Sequence, residues 1–246
     1  MATAPKIAPN MQLWDPRGAP TLAQRDAITQ ALDLKEAEIL ELGCGAGELA
    51  RAVAAAHPRA SLTALEVDGV QHTANLAGAQ LPNLVFAEGS AERIPLGDES
   101  FDVVLVIKAL HHVPADRLDK ALSEIRRVLK PGGQAYIAEP VFAGAFNEIM
   151  RVFHDEEQPR LAAFEAVKKA VAKGGMALEA ETFFFAPLHV ADFADFERRF
   201  IQVTHSELRL TKAQMEQVQK KFTQHMSPKG AHFKVPMRAD VLRKTG

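Results

Sequence analysis

A glycine-rich turn between a predicted strand and a predicted helix constrains the fold of this chain more than any other feature. The turn reads ELGCGAGE over residues 41–48, after the apolar run 37–40 and before the alanine-rich run 49–56. Glycine allows positive φ angles and lets a ligand approach bare backbone. The N-terminus of the next helix offers amide groups without helical partners. The pattern predicts a binding site for an adenosine-type cofactor.

Strands and helices alternate after this turn. Strands are predicted over 60–66, 83–87, 101–107 and 134–138, with helices over 70–81 and 116–129. Because successive strands separated by helices join by right-handed crossovers, this rhythm predicts an α/β fold with a doubly wound, mostly parallel, Rossmann-like sheet.

The rhythm changes beyond Pro140. Helices are predicted over 141–154, 157–173, 191–201 and 211–225, and strands over 176–188 and 231–243, the last one antiparallel. Thr21 is expected to cap a helix that runs to Leu34. We expect one domain, 1–246, with an N-terminal lid segment at 1–35 and a cofactor-binding core at 36–140. A helical cap at 141–230 would be interleaved with the last strands.

Composition excludes several classes of protein. The formal net charge is -2, which gives no electrostatic case for nucleic acid. No apolar run approaches the roughly 20 residues that cross a bilayer, and residues 1–10 lack the apolar core of a signal peptide. A single cysteine, Cys44, excludes an internal disulfide and a multi-cysteine metal site. We expect a cytoplasmic protein with no nucleic-acid or membrane partner; no oligomeric state is predicted.

Acidic residues around the turn bear on which cofactor it binds. A dinucleotide fingerprint places a third glycine where this chain has Glu48. A carboxylate there, and another at Glu41, would repel a pyrophosphate and would suit a cofactor that carries a sulfonium and an amino group. Glu66 ends the second predicted strand, where an acid accepts hydrogen bonds from ribose hydroxyls, with Asp68 as the alternative. A ribose is common to both cofactors, so this acid alone does not separate them.

Residues 39–140 resemble class I S-adenosylmethionine-dependent methyltransferases of the small-molecule, ubiquinone-biosynthesis-like (type 11) group. The resemblance is carried by six segments in the family's order, namely 41–47, 65–68, 89–96, 100–104, 109–113 and 127–133. It implies S-adenosyl-L-methionine as cofactor, S-adenosyl-L-homocysteine as product, and a small-molecule acceptor methylated by in-line displacement.

The resemblance also implies the positions that contact the cofactor. The loop glycines would pass under the methionine part and the ribose, Val67 would pack on the adenine, and Lys108 would lie near the methionyl amino group. Relatives usually carry aspartate where this chain has Ser90, so adenine recognition would depend on the Ser90 amide or on Glu92. The full expected set is Trp14, Glu41, Gly43, Cys44, Gly45, Gly47, Glu66, Val67, Ser90, Ala91, Glu92, Ile107, Lys108 and His112.

Several of these residues have an alternative interpretation. Trp14 is either a lid over the cofactor or a surface contact for the first helix. Cys44 is either a packing residue of the loop or a nucleophile, and packing is favoured because no base is near in sequence. His111 and Glu139 are the candidate catalytic residues; the first alternatively contacts cofactor, and the second alternatively caps a helix.

Two further expectations concern metals and the acceptor. His111 and His112 are neighbours, which on a helix point in different directions, so no metal site is predicted. Phe146, Phe153 and His154 are the candidate substrate-binding residues, with Phe142 and Phe164 as further aromatic candidates for an apolar pocket. A non-catalytic cofactor-binding partner subunit and an NAD(P)-dependent oxidoreductase remain the alternative functions.

Overall fold

The computed structural model describes residues 11–203 and 208–245; the first ten residues of the predicted lid segment and residues 204–207 of the predicted cap lie outside them. The strands are β1 Glu38–Leu42, β2 Ser61–Glu66, β3 Leu84–Glu88, β4 Phe101–Ile107, β5 Leu129–Pro140, β6 Met176–Val190, β7 Met226–Ser227 and β8 Gly230–Lys244. The helices are α1 Gln24–Ala31, α2 Glu48–Ala56, α3 Gly69–Ala77, α4 Leu118–Val128, α5 Ala145–Met150, α6 Glu157–Lys173, α7 Phe193–Phe196 and α8 Lys212–Thr223.

One twisted sheet organises the molecule, with strand order β3-β2-β1-β4-β5-β8-β6 and β7 paired to β8. The first five strands are parallel to one another, and β8 runs antiparallel between β5 and β6. This confirms the predicted doubly wound, mostly parallel fold with an antiparallel last strand. The order reverses between β1 and β4, and ligands of such sheets bind at that point, at the carboxyl ends of the strands.

Buried apolar side chains cover both faces of the sheet. Helices α1 and α2 pack on one face through residues such as Ile28 and Val53, and α4 and α6 pack on the other through Leu122, Ile125 and Val167. A third, smaller core joins α5, α7, α8 and the start of β8 around Phe196. The cap therefore has a hydrophobic core of its own at one end of the sheet.

Two local predictions are wrong, and a third is correct except for the start of its helix. Thr21 does not cap α1, because its backbone pairs with Phe185 of β6 and the helix begins at Gln24 after Ala23. The helix expected over 141–154 is reduced to α5. The Val141 amide donates to the Pro236 carbonyl of β8, and Gly144 takes a φ of 90°, so the helix begins only after it. The helix expected over 191–201 begins only at Phe193, capped by Asp192, and continues as a π-helical turn over Glu197–Ile201.

Among the described residues, no helix combines the length and apolarity needed to span a bilayer.

Candidate functional site

The glycine turn after β1 has backbone angles that only glycine adopts without strain. Gly43, Gly45 and Gly47 take φ values of 68°, 52° and 67°. A Cβ on Gly47 would lie 2.6 Å from the ring of Phe86, and one on Gly43 would lie 2.8 Å from Cβ of Ala109. A Cβ on Gly45 would meet nothing within 4 Å. Two glycines are thus required by packing inside the protein, while the third leaves open space above the backbone.

Glu66 is held against this turn by backbone amides. Its Oε2 accepts the amide of Gly45 at 2.7 Å, and its Oε1 accepts the amides of Val67 and Asp68 at 2.9 and 3.0 Å. The side chain is buried. Since a carboxylate has about four acceptor positions, three amides fix its orientation and leave one for a ligand hydroxyl. That arrangement is compatible with the predicted contact to a ribose.

Glu41 lies at the end of β1 and is 3% exposed. Burial, together with the charge of Glu66, raises its pKa to about 8, so the carboxyl is largely protonated at neutral pH. Its Oε2 has no hydrogen-bond partner within the described residues. A buried acceptor without a partner is costly, on the order of 1–3 kcal/mol. A cationic ligand group would relieve that cost.

Cys44 is a packing residue of the turn. Burial and the neighbouring acids Glu41 and Glu66 raise its pKa to about 12, so the sulfur stays a thiol. The amide nitrogen of Asn75 lies 3.7 Å from it and donates to the Gly45 carbonyl at 2.7 Å. The thiol lacks the activation that a nucleophile needs.

The residues that follow β2 and β3 lie at the same carboxyl edge of the sheet as the glycine turn. Val67 is 65% exposed although it is apolar, directly after Glu66. Ser90 is half-buried and forms an isolated bridge with Arg93, and Ala91 packs on the sheet core. The Glu92 carboxylate lies 3.9 Å from the Arg117 guanidinium. An exposed valine beside a fixed carboxylate is the expected surface for a planar base.

The end of β4 brings further expected residues to the same edge. Ile107 packs against the core, and Lys108 follows it with a φ of 55°, a strained value for a residue with a side chain. Partial desolvation lowers the pKa of the exposed Lys108 ammonium, while the charge of Glu139 acts in the opposite direction.

Next to β4, His111 is buried between two carboxylates. Its Nδ1 forms a short contact with Glu139 of β5, and its Nε2 lies 3.3 Å from Glu156. Burial lowers the pKa of His111, but the charges and hydrogen bonds of both acids outweigh it and raise the pKa to about 9. Neither ring nitrogen is left to accept a proton, so this geometry argues against His111 as a general base. Glu139 also accepts the Leu110 amide at 2.8 Å, which makes it a positioning group.

The expectation that His111 and His112 point apart is wrong. They lie in a 3₁₀ turn, Leu110–His112, and their ring centroids are 4.1 Å apart. The reason given for excluding a metal site therefore does not hold.

Glu156 and Arg160 are members of this cluster that sequence reasoning missed. Glu156 accepts from His154 Nε2 at 2.9 Å and forms a short ion pair with Arg160. Burial raises the pKa of Glu156, but the hydrogen bonds from the histidines and the charge of Arg160 hold it well below its usual range. Acids at the start of a helix ordinarily face solvent, so only the three-dimensional contact identifies Glu156.

The candidate substrate-binding residues are not brought together at a cavity. Phe146 and Phe153 belong to the third core, where Phe146 packs edge-on against Phe196, Phe200 and Phe233. His154 contacts Glu156 instead. A cavity of about 150 Å³ lies between helix α6 and the paired strands β5 and β8. Its walls include Phe142 and Phe164, the other two aromatic candidates, with Leu13, Leu161, Glu139 and Arg160.

Trp14 lies away from the glycine turn. Its ring packs edge-on against Phe183 and Phe185 of β6, with centroids 5.6 and 5.4 Å away. Leu22 donates its amide to Phe185 and Phe185 donates to Pro20, so this segment follows the outer strand. The strands β4, β5 and β8 separate β6 from β1. The described part of the predicted lid segment is therefore beside β6 and does not cover the turn.

An adenosine cofactor with a cationic end fits the residues at the sheet's switch point. The open backbone at Gly45, the fixed Glu66 and the exposed Val67 match an adenosine, and the orphaned Glu41 oxygen matches a nearby positive charge. A pyrophosphate would place negative charge against Glu48 and Glu66.

Comparison with known proteins is consistent with this geometry. A family model described as a methyltransferase domain matches residues 40–137. A Mycobacterium ulcerans protein named as a phthiotriol/phenolphthiotriol dimycocerosates methyltransferase is 42% identical over 105 residues, which are 43% of this chain and 40% of that protein. A demethylmenaquinone methyltransferase of Chlorobaculum parvum is 35% identical over 120 residues, 49% of this chain and 48% of its own. The chain thus spans less than half the length of these curated relatives.

A solved structure extends the likeness of fold to the cap. A candidate methyltransferase from Bacillus halodurans superimposes with a TM-score of 0.64 at 20% identity, over 91% of this chain and 99% of that one. Residues 40–137 therefore match a methyltransferase domain of the type 11 group, and the fold that the solved structure shares extends over the cap.

Proposed function

We propose that this chain transfers a methyl group from S-adenosylmethionine to an apolar small-molecule acceptor. The observation that carries the proposal is the pair of acids at the turn: Glu66, fixed by three backbone amides, and Glu41, buried with an unpaired oxygen. Hydrogen bonds to a charged carboxylate contribute roughly 1.5–3 kcal/mol each. Glu66 would supply such bonds to the ribose hydroxyls, and Glu41, largely protonated in the free protein, would ionise beside the cationic end of the cofactor.

The chemistry asks the protein chiefly for alignment. When bound, S-adenosylmethionine supplies a methyl group on a sulfonium, and its displacement leaves a neutral thioether. Alignment of the acceptor with that methyl group contributes several kcal/mol, on the order of 7–11 in well-oriented systems. The rigid turn and the Glu139–His111 pair at the ends of β4 and β5 provide fixed walls for that alignment.

The cavity beside β5 supports the apolar class of acceptor. Phe142, Leu161 and Phe164 of the cap line it together with Leu110 of the 3₁₀ turn and Ile137 of β5. The curated relatives are named for dimycocerosate lipids and for demethylmenaquinone. We infer that the acceptor is a lipophilic molecule whose reacting group reaches the carboxyl edge of β4 and β5.

The test is formation of S-adenosylhomocysteine by the full chain over a panel of quinols, phenols and aliphatic alcohols, with polar amines and carboxylates for contrast. We expect turnover with lipophilic acceptors, abolished or strongly reduced by Glu66→Gln and unaffected by Glu165→Gln, an exposed glutamate of α6. Cofactor binding without turnover on any acceptor would favour the alternative of a non-catalytic partner subunit. Binding of NAD(P) instead would favour an oxidoreductase.

A further inference from the structure

The carboxyl ends of β4 and β5 and the start of the cap bring nitrogen and oxygen ligands to one point. His111 and His112 come from the 3₁₀ turn after β4, and Glu156 immediately precedes α6. One donor atom from each of the three lies within 4.8 Å of the other two. The two histidines and Glu156 belong to segments that are far apart in sequence, so their convergence is a product of the cap docking on the sheet.

The distances fit ligands that share one ion. His111 Nε2 lies 3.3 Å from Glu156 Oε1. Two ligands at about 2.0–2.2 Å from a tetrahedral ion are separated by roughly 3.4 Å. His154 Nε2 lies 2.9 Å from the same Glu156 oxygen and contacts it as a hydrogen-bond partner.

Groups behind the cluster orient its donors. The Glu139 carboxylate contacts Nδ1 of His111, so that Nε2 of the same ring faces Glu156. A carboxylate behind a histidine fixes the tautomer and the ring of a metal ligand in this way. Arg160 holds the other oxygen of Glu156, so Oε1 is the oxygen that faces the histidines.

We propose that His111, His112 and Glu156 bind a divalent transition-metal ion, with zinc as the best match and Glu139 as a positioning residue. Imidazole nitrogen with a single carboxylate oxygen suits zinc and its first-row neighbours, whereas magnesium and calcium require oxygen ligands. The one cysteine, Cys44, lies in the glycine turn and takes no part. The site follows from the ligand geometry alone and does not depend on methyl transfer.

The experiment is calorimetric titration of zinc chloride into the full chain after dialysis against EDTA. We expect one ion per chain with a dissociation constant in the micromolar range or below. His112→Ala, at an exposed position, and Glu156→Gln, which keeps the side-chain volume, should each weaken binding at least tenfold. Glu139→Gln should weaken it roughly 10–100-fold through the orientation of His111. His72→Ala on α3 is the matched control and should leave the affinity unchanged.

Two results would overturn the proposal. One is no saturable binding, as expected if His111 is simply a protonated group that bridges Glu139 and Glu156. The other is binding that His112→Ala leaves intact, which would assign the ion elsewhere. Thermal melts of each variant show whether it folds. If Glu156→Gln does not fold, the result for His112→Ala alone decides the proposal. The same variants titrated with S-adenosylhomocysteine separate loss of the metal from failure of the proposed cofactor site.

Discussion

The cofactor half of the molecule and the cap place functional groups in opposite ways. In the glycine turn, neighbouring residues provide the surface: the Gly45 amide, just after β1, donates to the Glu66 carboxylate at the end of the adjacent strand β2. Below the cap, the cluster around His111 gathers side chains from β5, a 3₁₀ turn and the cap segment between α5 and α6. Short sequence motifs therefore predict the glycine-turn site. The cluster around His111 forms only when segments that are distant in sequence pack together.

This contrast explains which parts of the fold and of the site could be predicted from the sequence. The strand order, the turn and the acids Glu41 and Glu66 follow from glycine chemistry and strand–helix alternation, and they occupy the residues that the family model matches. Glu156, Arg238 and Asp240 could not be predicted, because buried charges in a helix start and in an alternating strand resemble solvent-facing residues. Arg238 and Asp240 pair at 2.7 Å on the face of β8 that lines the cavity.

The cap aromatics show the same limit. Phe142, Phe146, Phe153 and Phe164 have identical chemistry and similar spacing, yet only the first and last line the cavity. Phe142 lies outside α5 because Gly144 and the pairing of Val141 with β8 delay the start of that helix. No local pattern carries that information.

The largest expected effect tests whether the turn is fixed by its backbone. Gly47→Ala forces a Cβ to 2.6 Å from the Phe86 ring at a φ of 67°. The free energy of unfolding should fall by about 3 kcal/mol, from the unfavourable φ and the overpacking together. Chemical denaturation measures it. Gly45→Ala is the matched variant, with a similar φ and open space, and should lose about 1–2 kcal/mol. Equal losses in the two would show that the packing argument is wrong.

The next effect tests the buried acid. The folded-state pKa of Glu41 is raised above its unfolded value of about 4.5, so its contribution to stability is present below pH 4.5 and is lost as pH rises through about 8. Glu41→Gln should therefore make the cofactor-free protein more stable at pH 8 by about 2 kcal/mol, after the cost of an unpaired buried amide. At pH 4.5 that gain should disappear. A variant that is equally destabilised at both pH values would contradict the raised pKa.

A third effect tests the ligand role of the turn. Glu66→Gln replaces one acceptor oxygen by an amide group that opposes the Gly45 amide. Affinity for S-adenosylhomocysteine should fall tenfold to a hundredfold, about 1.4–2.8 kcal/mol. Calorimetric titration checks it, with Glu165→Gln as control. Unchanged affinity would remove Glu66 from the cofactor site.

The smallest expected effect concerns the exposed ion pairs between α4 of the cofactor-binding core and α6 of the cap. The carboxylate of Asp119 in α4 forms ion pairs with the ammonium groups of Lys169 and Lys173 in α6, at 2.6 and 3.1 Å. Because exposed ion pairs are screened by solvent, Asp119→Asn should lower Tm by no more than about 2 °C. A fall several times larger would mean that these charges, and not the apolar core between α4 and α6, join the cap to the sheet.

The most direct measurement of the central claim is titration of the wild-type chain with S-adenosylmethionine and, separately, with NADP⁺ under the same conditions. The acids at residues 41, 48 and 66 predict one S-adenosylmethionine per chain, with binding in the micromolar range, and no detectable binding of the pyrophosphate-bearing nucleotide. Saturable binding of NADP⁺, or no binding of S-adenosylmethionine by the folded chain, would contradict it.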